Sequence, residues 1–193
     1  MLNVKRIFSF SVLAACVASI SACYVNHVKD ENSVFYAVAV GSSLVLNQAV
    51  TIPGGQVAVY LQAGEILPYA NVDKYRPNCK FEIYTISEKP RSVQADSFQI
   101  IKVEDDIESS SVQNNTQLAS VDNVVARNNH AFGMLDHSEV FNYATLMYLR
   151  SDKQKDVYRL TCQHWESVLD DKHLSIKQMR DAMGAVFTLN IKE

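Results

Sequence analysis

The residues best suited to chemistry lie toward the C-terminal end. Cys162-Gln163-His164-Trp165-Glu166 sets an imidazole beside an indole and a carboxylate, and Asp170, Asp171 and His173 follow closely. A neutral imidazole can hold a metal ion or take a proton from a nucleophile, and carboxylates complete either centre. A metal-dependent or hydrolytic site centred on His164, with the polar 166–173 segment as its loop, is the chemistry these residues would serve. The spacing argues against it. His164 to His173 matches no usual pair of ligand positions. A His beside a Trp at a strand end reads as a packed, hydrogen-bonded residue.

Other catalytic signatures are missing from the sequence. No Gly-x-Ser-x-Gly turn offers a nucleophilic serine, and Ser109-Ser110-Ser111 falls in a polar stretch. Gly54-Gly55 is an isolated pair, not a phosphate-cradling loop. Glu104, Asp105, Asp106 and Glu108 lack the spacing of a calcium loop and read as a solvated acidic turn. No catalytic, cofactor-binding or metal residue is therefore assigned, and the chain is read as a non-enzyme. The aromatics Tyr60, Tyr69, Tyr75 and Tyr84, with Phe141, Tyr143, Tyr148, Tyr158 and Trp165, could form a binding surface. In a small β domain they are expected to be core.

The N-terminus reads as an address. Lys5 and Arg6 form a positive start, Ile7 to Ile20 carries no charge, and small residues precede Cys23. This is the layout of a secretory signal peptide over residues 1–22. The uncharged stretch from Ile7 to Val25, 19 residues, is just long enough to span a bilayer, but its serines and its small-residue end favour cleavage. Leu13-Ala14-Ala15-Cys16 and Ile20-Ser21-Ala22-Cys23 both resemble the bacterial lipobox, in which the Cys is lipidated and becomes the mature N-terminus. Cleavage before Cys16 would leave an apolar run shorter than the usual ~7–15 residues, so Cys23 is the expected lipidation site. The region thus resembles the signal of Gram-negative lipoproteins. That resemblance implies a diacylglyceryl group and an N-linked fatty acyl chain such as palmitate, a firm anchor. Tyr24, rather than Asp, after the Cys implies the outer membrane, facing the periplasm.

Cysteine parity agrees. With Cys23 acylated, Cys79 and Cys162 remain as a pair, and an exported compartment would oxidise them if they meet. Closing a loop of roughly 84 residues would stabilise by about 4–5 kcal/mol in the chain-entropy picture. No Cys-x-x-Cys suggests a redox role.

The remaining chain must position these groups. With 193 residues, 48% apolar and 20% charged, it suits one folded domain and excludes a disordered or collagen-like chain. Loss of residues 1–22 takes away Lys5 and Arg6, leaving 16 basic against 21 acidic residues, a net charge of −5. Such a balance gives nucleic acid no electrostatic footing. Residues 23–33 read as the lipidated N-terminus and a polar tether, and 34–193 as a single periplasmic β domain. Leu44 to Gln62, turning at Ile52-Pro53-Gly54-Gly55, predicts a hairpin. Strands are expected at 79–86, 98–103 and 186–191. Residues 139–149 and 156–165 predict a second hairpin, the first of these apolar on both faces and hence central. A polar loop is expected around 105–130. Ser175-Ile-Lys-Gln178 predicts a capped helix ending at Gly184.

The fold class is therefore mainly β: an antiparallel β-sandwich or small open barrel with one short C-terminal helix. Cys79-Lys-Phe-Glu and Tyr158-Arg-Leu-Thr-Cys-Gln-His-Trp165 resemble small proteobacterial envelope lipoproteins of unassigned function, which transfers no activity and no site. The expected role is a lipid-anchored structural or interaction module, held to the membrane by its lipid and meeting an envelope protein or glycan. The alternatives are a periplasmic metal-dependent or hydrolytic enzyme on His164, or a factor secreted without lipidation.

Overall fold

A computed structural model describes residues 29–111, 139–167 and 173–192. The chain divides into two compact units, Met1–Asp30 and Glu31–Glu193. The signal peptide 1–22 and Cys23 lie outside the described residues, as do Asp170 and Asp171. None of the described helices is long and apolar enough to cross a membrane.

The second unit is mainly β. Its strands are β1 (Ser43–Leu46), β2 (Val50–Ile52), β3 (Ala58–Gln62), β4 (Glu65–Leu67) and β5 (Asn78–Ile83), then β6 (Arg91–Val93), β7 (Asp96–Ser111), β8 (Glu139–Arg150), β9 (Val157–Ser167) and β10 (Phe187–Asn190). One helix, α1 (Ile176–Met183), precedes β10. Eight strands form an antiparallel sheet in the order β10-β1-β7-β8-β9-β5-β3-β4, curled into a half-barrel. β2 and β6 pair separately, and their Val50, Ile52 and Val93 join the same core.

Alternation along the central strands separates two faces. On one, Phe81, Phe98 and Phe187 meet, with centroids 6.2 and 5.0 Å from Phe81, among Leu61, Met147 and Leu160. Helix α1 covers this face. Its spacing puts Ile176, Met179, Ala182 and Met183 on one buried stripe. Burial of each of the Ile and Met side chains contributes about 1.5–3 kcal/mol. The expected capping box is present. The Gln178 backbone N–H donates to Ser175 Oγ at 3.3 Å, and the Ser175 N–H donates to Gln178 Oε1 at 2.9 Å. After α1, Gly184 (φ +54°) lies against Gly64 (φ +83°), and the Gly64 N–H donates to Ala182 O at 3.1 Å. A Cβ on Gly184 would stand 2.3 Å from Gly64 Cα, so the helix exit can dock on the β3–β4 turn only with glycine at this position.

Cys79 on β5 and Cys162 on β9 are direct cross-strand partners on the core face, and their sulfurs are 2.05 Å apart in a disulfide. β8 and β9 form the expected hairpin, and β8 is central, between β7 and β9.

Three expectations are corrected. Residues 44–62 do not form a hairpin: β1 pairs with β7 and β10, β2 with β6, and β3 with β4 and β5. The turn itself forms, with the Gln56 N–H donating to Pro53 O at 3.2 Å. The Gly55 N–H, however, donates to Ser87 O at 2.7 Å, docking the turn on the segment before β6. Alternation tells which face a residue uses, not which strand lies beside it. Next, residues 105–111 are strand, not loop, because β7 pairs with β8 as far as Ser111↔Glu139; residues 112–130 of the expected loop lie outside the described ones. Finally, the 23–33 spacer is not free to its end. Glu31 O accepts the Lys177 N–H at 2.9 Å, and its carboxylate pairs with Arg180.

Candidate functional site

The sheet face away from α1 carries a groove of about 480 Å3. Three central strands supply its floor by strict alternation: Asn78, Lys80 and Glu82 from β5, Arg159, Thr161, Gln163 and Trp165 from β9, and Asn142, Ala144 and Leu146 from β8. Asp106 and Glu108 of β7 edge one side, and Tyr60 and Tyr69 the other.

The β7 contribution depends on a bulge. Ile100 pairs with Leu149, but Lys102, not Ile101, pairs with Tyr148. This extra residue reverses the alternation. Phe98 and Ile100 are buried in the core, yet Glu104, Asp106 and Glu108 share the groove face with Leu146, Ala144 and Asn142. Without the bulge, those acids would face the core. A second irregularity, where Glu82 pairs with Arg159 but Ile83 with Val157, leaves Tyr158 as the extra residue in β9.

Glu82 is the electrostatic centre. It is only 6% exposed, with Lys80 Nζ at 2.6 Å and Arg159 Nε at 2.5 Å. Burial pushes its carboxyl up, but hydrogen bonds and charge from Arg159 and Lys80 outweigh this and hold it below the usual value. Conversely, burial lowers the Arg159 guanidinium, and Glu82 more than offsets that. The guanidinium also lies over the Tyr158 ring, 4.9 Å from its centroid. Beyond it, Tyr148 donates to Glu104 Oε2 at 2.7 Å, and Lys102 pairs with the other Glu104 oxygen at 2.5 Å.

The aromatic wall is set by a buried amide. Gln62 donates to Asp73 O at 2.8 Å and accepts the Asp73 N–H at 3.0 Å, fixing the loop before β5. Trp165 N–H donates to Lys74 O at 2.8 Å, tying that loop to β9. Lys74 Nζ then sits 5.4 Å from both the Tyr69 and Trp165 ring centroids, and Tyr60 lies 5.0 Å from Tyr69.

Two carboxamides on the floor keep a free acceptor. Asn78 is 1% and Asn142 9% exposed. Asn78 Nδ2 donates to Arg76 O at 3.0 Å, and Asn142 Nδ2 to Gln163 Oε1 at 3.3 Å. Among the described residues, neither Oδ1 meets a donor.

Cys79 and Cys162 are joined, as expected, but beneath the floor. His164, buried at 3%, points to the core face, as strand alternation beside groove-lining Gln163 and Trp165 requires. Tyr143 lies between the two histidines' neighbourhoods, 6.1 Å from the His164 ring and 5.5 Å from His173. His173 Nδ1 is 3.9 Å from Asp105 Oδ1, outside hydrogen-bond range, and that oxygen accepts from Thr145 Oγ1 at 2.8 Å. No group of three His, Cys, Asp or Glu suited to a metal occurs among the described residues. These side chains lie on the sheet face opposite the groove.

The expectation that the aromatics are core is corrected. Of those named, only Tyr143 is fully buried, while Tyr69, Tyr75 and Tyr84 are more than half exposed. Phenylalanines at 81, 98 and 187 fill the core instead. The groove was missed because its residues come from segments far apart in sequence. One local signal existed: Lys80 and Glu82 alternate with Cys79, Phe81 and Ile83, which marks a charged face opposite a core face.

Neither the known protein families, nor the curated proteins, nor the solved structures contain a match to this chain.

Proposed function

We propose that this chain is a lipid-anchored envelope protein acting as a non-catalytic binding module. Lipid on Cys23 holds it at the outer membrane, facing the periplasm, and the groove receives a partner. The groove is the observation that carries this reading. A sheet face that only meets solvent leaves its polar groups in water. Here Asn78, Glu82, Asn142 and Thr161 are all buried on a face the core does not use. Burying polar groups costs free energy unless they are hydrogen-bonded, and the Oδ1 atoms of Asn78 and Asn142 meet no donor among the described residues. The cross-strand disulfide supports an oxidising compartment.

Two measurements test the reading. Mass spectrometry of the mature N-terminal peptide should show an acylated Cys23, and Cys23→Ala should leave the membrane fraction or stop maturation. A photo-cross-linking residue at Leu146, in the groove, should yield adducts in intact envelopes that the same residue at exposed Thr188 does not. An unmodified N-terminus with unchanged fractionation removes the anchor. Equal yields from both positions, or none from Leu146, remove the groove as the binding face.

A further inference from the structure

We propose that the ligand of the groove is a short neutral oligosaccharide. This rests on the reading of the groove as a binding site and deepens it through three observations.

The first is the polar floor. The amide nitrogens of Asn78 and Asn142 already donate, to Arg76 O and Gln163 Oε1. Turning the Asn78 amide over would set its oxygen against the Arg76 carbonyl, so its Oδ1 is fixed as an acceptor, whereas Asn142 and its amide partner Gln163 can turn over together and offer either an acceptor or a donor. Both side chains are at least nine-tenths buried, and neither acceptor meets a donor among the described residues. A buried acceptor without a partner is destabilising. The floor is thus rich in carboxamides, Asn78, Asn142 and Gln163, and a ligand whose hydroxyls both donate and accept suits it.

The second is charge. The lining holds Lys74, Lys80 and Arg159 against Glu82, Asp106 and Glu108, so its formal charges cancel. Lys80 and Arg159 are moreover engaged by Glu82. An anionic ligand would have to compete for those cations, and a cationic one for Glu82. A ligand rich in hydroxyls and without charge competes with neither.

The third is shape. Tyr60, Tyr69 and Trp165 present flat, partly exposed rings along one wall. Such rings pack against the C–H faces of pyranoses, with hydroxyls at the ring edge reaching toward the floor. The volume of about 480 Å3 lies in the range of small-ligand sites and suits a few sugar rings rather than a folded surface. An extended peptide would instead be expected along a sheet edge, where backbone groups are unpaired.

Trp165 is the single tryptophan of the chain, so its emission reports on the groove. The mature lipidated protein in mild detergent is titrated with chitotetraose, cellotetraose and maltotetraose. At least one should produce a saturable shift in Trp165 emission that is insensitive to added salt. Asn142→Leu, which removes a carboxamide from the floor, should weaken binding about tenfold. Tyr69→Ala, at an exposed ring, should weaken it too and serves alone if Asn142→Leu fails to fold. Absence of a saturable shift with all three sugars at millimolar concentration overturns the proposal, as does a shift that both variants leave intact. If cross-links from Leu146 still form in that case, the binding reading stands and only the sugar is wrong. If they also fail, both fall.

Discussion

Glu82→Gln isolates the electrostatic centre of the groove with little change in shape. The wild-type carboxylate, 8% exposed at the side chain, meets Lys80 at 2.6 Å and Arg159 at 2.5 Å, whose side chains are 28% and 24% exposed. Removing one partner of a fully buried pair costs about 3–5 kcal/mol, because a charge is left unpaired. An exposed pair is worth at most about 1 kcal/mol. Here the anion is buried while both cations still reach water, so the loss should fall between these limits, at about 2–3 kcal/mol. For a domain of this size each kcal/mol moves the midpoint by about 2–4 °C, so thermal unfolding at neutral pH should shift down by about 4–12 °C.

The pH dependence follows from the same contacts. Burial raises the Glu82 carboxyl, the two cations outweigh it, and the folded value lies below the ordinary 4.5. A depressed carboxylate contributes stability that is fully present above its unfolded value and is lost as pH falls through its folded value. The gap between wild type and Glu82→Gln, followed by circular dichroism melts from about pH 7 to about pH 3, should therefore hold steady to about pH 4.5 and then close. Equal stability at neutral pH would refute the reasoning, and so would a gap that is constant or widening toward acid.

Four further variants probe the framework. Replacing both Cys79 and Cys162 by Ala opens a link spanning a sequence separation of 83 and should lower stability to urea by about 4–5 kcal/mol, with non-reducing peptide maps of the wild type showing the joined peptides. Ser175→Ala removes the acceptor of the Gln178 N–H and should cost about 1 kcal/mol, read as a midpoint fall of about 2–4 °C. Gly184→Ala sets a Cβ 2.3 Å from Gly64 Cα and should lose about 1–3 kcal/mol to overpacking beyond the backbone strain. Gly55→Ala, whose Cβ meets nothing within 4 Å, supplies the strain alone, about 1–2 kcal/mol, so the two melts should differ clearly.

Local rules carried the sequence reading furthest. The capping box at Ser175 and Gln178 depends on residues three apart, and the β8–β9 hairpin on two runs joined by a short charged turn, so both were legible. The strand character of 105–111 was hidden for a different reason. Asp105, Asp106, Glu108 and Ser109 are exposed and carry no apolar alternation. Their order comes from pairing with β8, including Thr145 to Asp105. The 44–62 hairpin failed because a turn signal and two alternating runs do not specify partners. β3 finds its neighbour in β5, across the Tyr69–Asn71 turn and the loop fixed by Gln62. Of the groove, single residues such as Trp165 were visible, but not their convergence.

The aromatics were misassigned through a premise that holds only for sheets with one dry face and one wet one. Here a third environment exists: the sheet curls around its core, bringing Phe187 of β10 within 5.0 Å of Phe81 of β5, and a groove still runs along the other face. Bulges raise local twist and bend the strand that holds them. Those at Ile101 and Tyr158 lie in β7 and β9, the strands flanking β8. The same extra residues that help bend the sheet also change which side chains face the groove. In β7 the change delivers Asp106 and Glu108 to the groove and turns Glu104 to the same face. In β9 it leaves Tyr158 beside Arg159, within reach of its guanidinium. Curvature and lining therefore share a cause, and the core is spared. The phenylalanines, the disulfide and α1 all lie on the inner side of the curled sheet, opposite the groove, so groove residues such as Tyr69 and Leu146 can change with little effect on folding. That separation makes the binding tests readable, since a loss of ligand need not accompany a loss of fold.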